Sequence, residues 1–159
     1  MKEVYKTFIS SDGFEILVGN QARDNDYLTF KVASSQDFWF HVAATPGAHV
    51  IVRNPDKLKR LPKQTLGEAA SLAAYYSKSR KGGQVAVNYT QRQNVRKERG
   101  APAGQVILKE HKIAKANPKA EIWGIVDARE AKLTPQLLDS ANSLLVYFTG
   151  INPAWVIEE

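Results

Sequence analysis

The feature that most constrains the fold is a pair of short runs, Phe38–Val42 and residues 48–52, that alternate aromatic and β-branched side chains around Pro46-Gly47. Period-two alternation is the signature of a half-buried strand, and proline-glycine between two such runs predicts a hairpin. Phe38, Phe40 and Val42 share one face of the first strand, and Asp37, Trp39 and His41 share the other. On the returning strand Val50 and Val52 lie together, opposite His49, Ile51 and Arg53. One side is therefore apolar enough to require a covering layer, while the other gathers Trp39, His41, His49 and Arg53. With a three-residue loop the two histidines face each other, and with a four-residue loop they are diagonal neighbours.

The rest of the chain fits a layer built on that hairpin. Residues 4–9 and 14–18 flank Ser10-Ser11-Asp12-Gly13, a turn signal, and predict another hairpin. Asn20 is placed to cap a helix reaching about Val32. Thr65-Leu66-Gly67-Glu68 has the form of a capping box, predicting a helix to about Ser79 that Lys81-Gly82-Gly83 would stop. Residues 84–89 read as a strand, residues 105–108 and Lys112–Ala116 as a further pair, and residues 122–126 as a last strand. Thr134-Pro135 opens a helix expected to end at Gly150. With 159 residues, 43% of them apolar, one domain has enough core to fold unaided. The expected class is α+β, a single domain with a largely antiparallel sheet of hairpins packed with helices. The absence of cysteine excludes disulfides, thiolate metal sites and a cysteine nucleophile.

Charge is segregated along the chain. Residues 1–52 carry a net −2, residues 53–119 a net +12 and residues 120–159 a net −4. The densest basic piece runs from Lys78 to Arg99 and includes Arg80, Lys81, Arg92, Arg96 and Lys97, against Glu98 alone. Segregation of this kind points to a phosphate-rich partner. The N-terminal residues are charged, and no apolar stretch approaches the roughly 20 residues that a spanning helix needs. A cytoplasmic protein without a membrane partner is expected.

For Trp39, His41 and His49 three readings compete. They are hydrogen-bonded framework around a core tryptophan, or a metal or acid-base pair completed by Asp37, or a platform on which RNA bases stack beside Arg53 and the basic segment. The adjacent basic block favours the platform.

Asp37-Phe38-Trp39-Phe40-His41, followed by Pro46-Gly47-Ala48-His49-Val50, resembles the NFACT-R domain family. The resemblance extends through Ser11-Asp12-Gly13-Phe14, residues 19–26, residues 65–78, residues 87–90 and residues 95–106, covering about residues 1–118. Two departures stand out. Ala48 occupies the position where the family usually has serine, and Pro102-Ala103-Gly104 replaces the usual Lys-Pro-Gly with one positive charge fewer. The resemblance implies an RNA-binding domain, here standing alone, with a role near tRNA or the ribosome and a possible link to ribosome-associated quality control.

The combined reading is a non-enzymatic domain that binds tRNA or ribosomal RNA and uses neither metal nor small-molecule cofactor. In it Arg80, Lys81, Arg92, Arg96, Lys97 and Arg99 meet phosphates, while Trp39, His41, His49 and Arg53 shape the nucleotide site. Residues 1–118 form the RNA-binding domain, and residues 119–159 are a strand and helix packed on it. The rivals are an RNA-processing enzyme with His41 and His49 as acid-base pair and Asp37 as orienter, and a protein-interaction module whose basic face meets an acidic partner.

Overall fold

In the computed structural model, which describes residues 4–119 and 126–127, the hairpin of β3 (Phe38–Val42) and β4 (Val50–Val52) sits at the centre of a seven-stranded sheet. β1 (Tyr5–Ile9) and β2 (Glu15–Gly19) form the first hairpin, β5 (Val85–Gln91) and β8 (Lys112–Ala116) extend the other side, and β9 (Val126–Asp127) lies on β1. The order is β8-β5-β3-β4-β2-β1-β9, and every pairing is antiparallel. The fold is α+β, as the alternation requires.

The two faces are buried by different layers. α2 (Lys63–Tyr75) covers the face of Phe38, Phe40, Val50 and Val52, where Ala69, Ala70, Leu72, Ala73 and Ala74 pack against them. Its buried stripe is largely alanine, which lets the helix lie close to the aromatic strand face. On the other face α1 (Ala22–Tyr27), the π-helical turn Leu28–Val32 and a two-stranded ribbon of β6 (Val95–Arg96) and β7 (Ile107–Leu108) enclose Leu17, Leu28, Trp39, Ile51 and Val95. The hairpin therefore has no solvent face at Trp39.

Four local expectations are corrected. α2 begins at Lys63, so Thr65 and Glu68 lie inside the helix and do not cap it. Their polar groups serve a tertiary clamp: Thr65 Oγ1 donates to Asp12 Oδ2 at 2.7 Å, and Glu68 accepts from the Ser11 amide at 3.0 Å and hydroxyl at 2.8 Å. The clamp holds the β1–β2 turn, where Gly13 takes the left-handed conformation that this turn requires (φ 90°). α2 stops at Tyr75, well before Gly82, because residues 76–78 turn away to pair with residues 46–48. β7 pairs with β6 and not with β8, which joins β5 instead. α1 starts after Gln21, and Asn20 accepts a hydrogen bond from Lys6 Nζ at 2.6 Å. Of the expected C-terminal additions, the helix from Thr134 lies outside the described residues, as do residues 122–125 of the last strand.

Candidate nucleic-acid interface

Continuing the β3–β4 register by one step sets His41 opposite His49, and the three predicted rings do meet. Trp39 and His41 stack with centroids 5.9 Å apart, while His49 meets both edge-on at 5.1 and 5.6 Å. The environment defines their role. Trp39 is 2% and His49 1% exposed, and every polar atom on their rings is engaged. Trp39 Nε1 donates to His49 Nδ1 at 3.2 Å, and the Thr29 hydroxyl lies 2.8 Å from the same nitrogen. His49 Nε2 lies 3.0 Å from the Gly104 carbonyl oxygen. A carbonyl only accepts, so Nε2 carries the proton, Nδ1 is the shared acceptor and the imidazole is neutral. Burial, with His41 close by, lowers the His49 pKa to about 4. His41 is half-buried and is also held below its ordinary value, chiefly by desolvation.

This corrects the stacking platform. Trp39 and His49 are the buried framework that carries the basic loop, and only His41 keeps partial access. Arg53 does not join them: its Nε pairs with Asp37 Oδ2 at 3.0 Å. Asp37 Oδ1 accepts from the Asn54 amide at 2.7 Å and its Oδ2 from the Ser34 amide at 2.9 Å. With its oxygens spent on loop amides, Asp37 is not positioned as an orienter for either histidine.

The six basic residues expected at phosphates divide into two groups. Arg80, Lys81, Arg96 and Arg99 are exposed. Arg92 is tied inward, its Nε bonded to the Thr29 carbonyl and its guanidinium 4.7 Å from the centroid of Phe30. Lys97 is a lock: Nζ pairs with Asp26 at 3.0 Å and donates to the carbonyls of Pro102 at 2.5 Å and Gln105 at 3.0 Å. Asp26 also accepts from the Gly104 amide at 3.1 Å. The loop that presents Arg99 is thus pinned at Gly104 from two sides, by Asp26 and by His49.

A groove of about 420 Å³ lies where Pro46, Gly47 and Ala48 meet the end of α2. The Ala48 amide donates to the Tyr76 carbonyl at 2.8 Å and the Lys78 amide to the Pro46 carbonyl at 3.0 Å. At Gly47 any Cβ would sit 2.7 Å from Ser77 Cβ, so only glycine permits this approach. The contact directs Tyr75, Tyr76, Lys78 and Arg80 toward Lys6 and Ala22 around one concavity. Arg80 lies 3.9 Å from the Tyr75 centroid and also bonds its hydroxyl, while Lys6 Nζ is 5.0 Å from the Tyr76 centroid. The tyrosine rings meet edge to face at 4.9 Å. Gly104 packs on Ala22, so the basic loop borders the wall of the groove.

Sequence reasoning included Arg80 and missed Tyr75, Tyr76 and Lys6. The available signal was Tyr75-Tyr76 directly before Lys78 and Arg80, aromatic residues interleaved with cations at a helix end.

The groove thus sets two tyrosine rings beside Lys6, Lys78 and Arg80. The model of the NFACT protein RNA binding domain matches residues 4–110. The chain belongs to this family. The Bacillus subtilis Rqc2 homolog RqcH is 38% identical to this NFACT domain over 118 residues, 74% of the chain and 20% of that relative. Bovine coiled-coil domain-containing protein 25 is 31% identical over 101 residues, 62% of the chain and 48% of that protein. Among solved structures, the C-terminal part of the fibronectin/fibrinogen-binding protein from Streptococcus suis superposes with a TM-score of 0.70 at 30% identity, covering 76% of this chain and 47% of that one. The NFACT domain spans about a fifth of the length of its RqcH relatives. No helix among the described residues is long and apolar enough to cross a membrane.

Proposed function

We propose that this NFACT domain binds a strand of tRNA or ribosomal RNA in the groove at the end of α2, with the exposed Arg96 and Arg99 of the pinned loop extending the contact. The observation that carries the reading is the pair of cation-aromatic contacts, Arg80 on Tyr75 and Lys6 near Tyr76, lining one concavity. Such pairs offer a base a planar surface while leaving positive charge for phosphates. The name of a further relative, the Drosophila melanogaster ribosome quality control complex subunit NEMF homolog, 31% identical over 75 residues, supports a place in ribosome quality control.

A binding role, not a catalytic one, is favoured by the way the proton-transfer candidates are used. Both ring nitrogens of His49 and both oxygens of Asp37 hold structural hydrogen bonds, whereas a general base must reach its substrate. The test is fluorescence anisotropy with labelled tRNA and with a ribosomal RNA fragment. Arg80→Glu combined with Lys78→Glu should weaken binding by at least about tenfold with an unchanged thermal melt. Wild-type affinity in that variant would overturn the groove. A basic-face partner that stays bound after nuclease treatment, with no RNA affinity, would support the protein-interaction alternative.

A further inference from the structure

We propose that a second cleft, at the opposite end of α2, is a nucleotide site that accepts one base and its phosphate. It occupies about 570 Å³, within the roughly 300–1,000 Å³ of small-ligand sites. Phe38, Leu61, Leu66 and Tyr89 supply its apolar lining. Tyr89 is half-buried, and its ring is stacked on the buried Phe40 with centroids 5.5 Å apart and an interplanar angle of 16°. A ring fixed in this way can support a base with little further loss of side-chain entropy.

Around this lining stand Lys59, Arg60, Lys63 and Lys112, with Glu110 the one acidic lining residue. Among the described residues none of these four cations is in an ion pair. Asn94 uses its Nδ2 to bond Thr90 Oγ1 at 2.9 Å, which leaves its oxygen as an acceptor for a base amino group. An apolar lining alone would suit any hydrophobic molecule, and unpaired cations alone any anion. Together with a backed aromatic ring and an amide oxygen, they match a ligand that joins a planar heterocycle to a phosphate.

The site is independent of the groove at Tyr75. The two share no lining residue, and the 13 residues of α2 separate them by about 20 Å at 1.5 Å per residue. The nucleotide comes either free or as the phosphorylated end of an RNA strand.

The test uses the full chain, labelled with ¹⁵N, and three probes: adenosine 5′-monophosphate, inorganic phosphate and a 5′-phosphorylated oligoribonucleotide. Adenosine monophosphate should shift amides in residues 59–66 and 89–94 and leave residues 75–80 unmoved. Arg60→Glu with Lys63→Glu should weaken it at least about tenfold, and Arg80→Glu should not. Displacement of the monophosphate by a lower concentration of oligonucleotide assigns the site to a strand end, and the reverse order assigns it to a free nucleotide. Absence of shifts with both nucleotide probes, or the same full set with phosphate alone, overturns the proposal. Loss of tRNA binding in the Arg80 variant with these shifts retained would separate the two sites.

Discussion

Trp39 Nε1 donates to His49 Nδ1 across the central hairpin at 3.2 Å, while the opposite nitrogen of the same imidazole holds the carbonyl of Gly104 at 3.0 Å. A buried indole thereby fixes the tautomer of a buried histidine, and the histidine fixes the loop that carries Arg99. Losing the Gly104 carbonyl would strand the buried Nε2, which costs more than the bond itself contributes, whereas Nδ1 keeps the Thr29 hydroxyl when the indole N–H is removed.

Trp39→Ala is therefore expected to destabilise the protein by about 3 to 5 kcal/mol, the usual cost of emptying a large aromatic site. Trp39→Phe keeps most of the packing and loses only the N–H, for about 1 kcal/mol. Paired chemical-denaturation and RNA-binding curves check this. If Trp39→Phe melted like the wild type but bound RNA about tenfold more weakly, Trp39 would be a contact residue after all.

Lys97 and its neighbours should separate in a salt titration. If four to six phosphates are engaged, log K should fall with log salt at a slope of about −3 to −4 for a single strand. Arg96→Ala and Arg99→Ala should each flatten that slope by about 0.7. Lys97→Ala removes a lock, not a phosphate contact, so the slope should hold while the loop at residues 97–105 becomes more sensitive to protease. A slope change for Lys97 equal to that for Arg96 would contradict the locked geometry.

The hairpins, the helix between β4 and β5 and the facing histidines were legible because alternation and turn residues act locally. What escaped was tertiary use of local signals. Thr65 and Glu68 have the spacing of a capping box, but their polar groups meet Ser10, Ser11 and Asp12, more than 50 residues away. Trp39 and Lys97 have the residue types of RNA contacts, yet a π-helical turn and an aspartate from the first third of the chain enclose them. The groove at Tyr75 depends on Gly47 approaching Ser77, a contact that no periodicity encodes.

Ala48 lines the groove, and its amide is already held by Tyr76. Ala48→Ser adds a hydroxyl there, so RNA affinity should rise by about 0.5 to 1.5 kcal/mol, the net value of one hydrogen bond. Anisotropy titration at fixed salt measures it. An unchanged affinity would mean that the strand passes the groove without touching residues 46–48.

Two buried groups should set opposing pH dependences of stability. His49 has its folded pKa lowered from 6.5 to about 4, first by burial and then by His41. Between those values the unfolded chain binds more protons, so stability falls as pH drops, by roughly 3 kcal/mol over the window. Glu68 is raised from 4.5 to about 7, mainly by burial, despite the two Ser11 hydrogen bonds that favour its charged form. Its folded form holds the proton more tightly, so its contribution is full below pH 4.5 and is lost as pH rises through 7, by a similar amount. Between pH 4.5 and 6.5 the two slopes oppose each other, and the wild-type profile should be nearly flat there. Glu68→Gln removes one arm and should leave a protein whose stability climbs with pH across that range. His49→Gln removes the other and should leave one whose stability declines. Urea denaturation at half-unit pH steps reads both slopes, and parallel profiles for the two variants would show that neither group titrates differently in the folded and unfolded states.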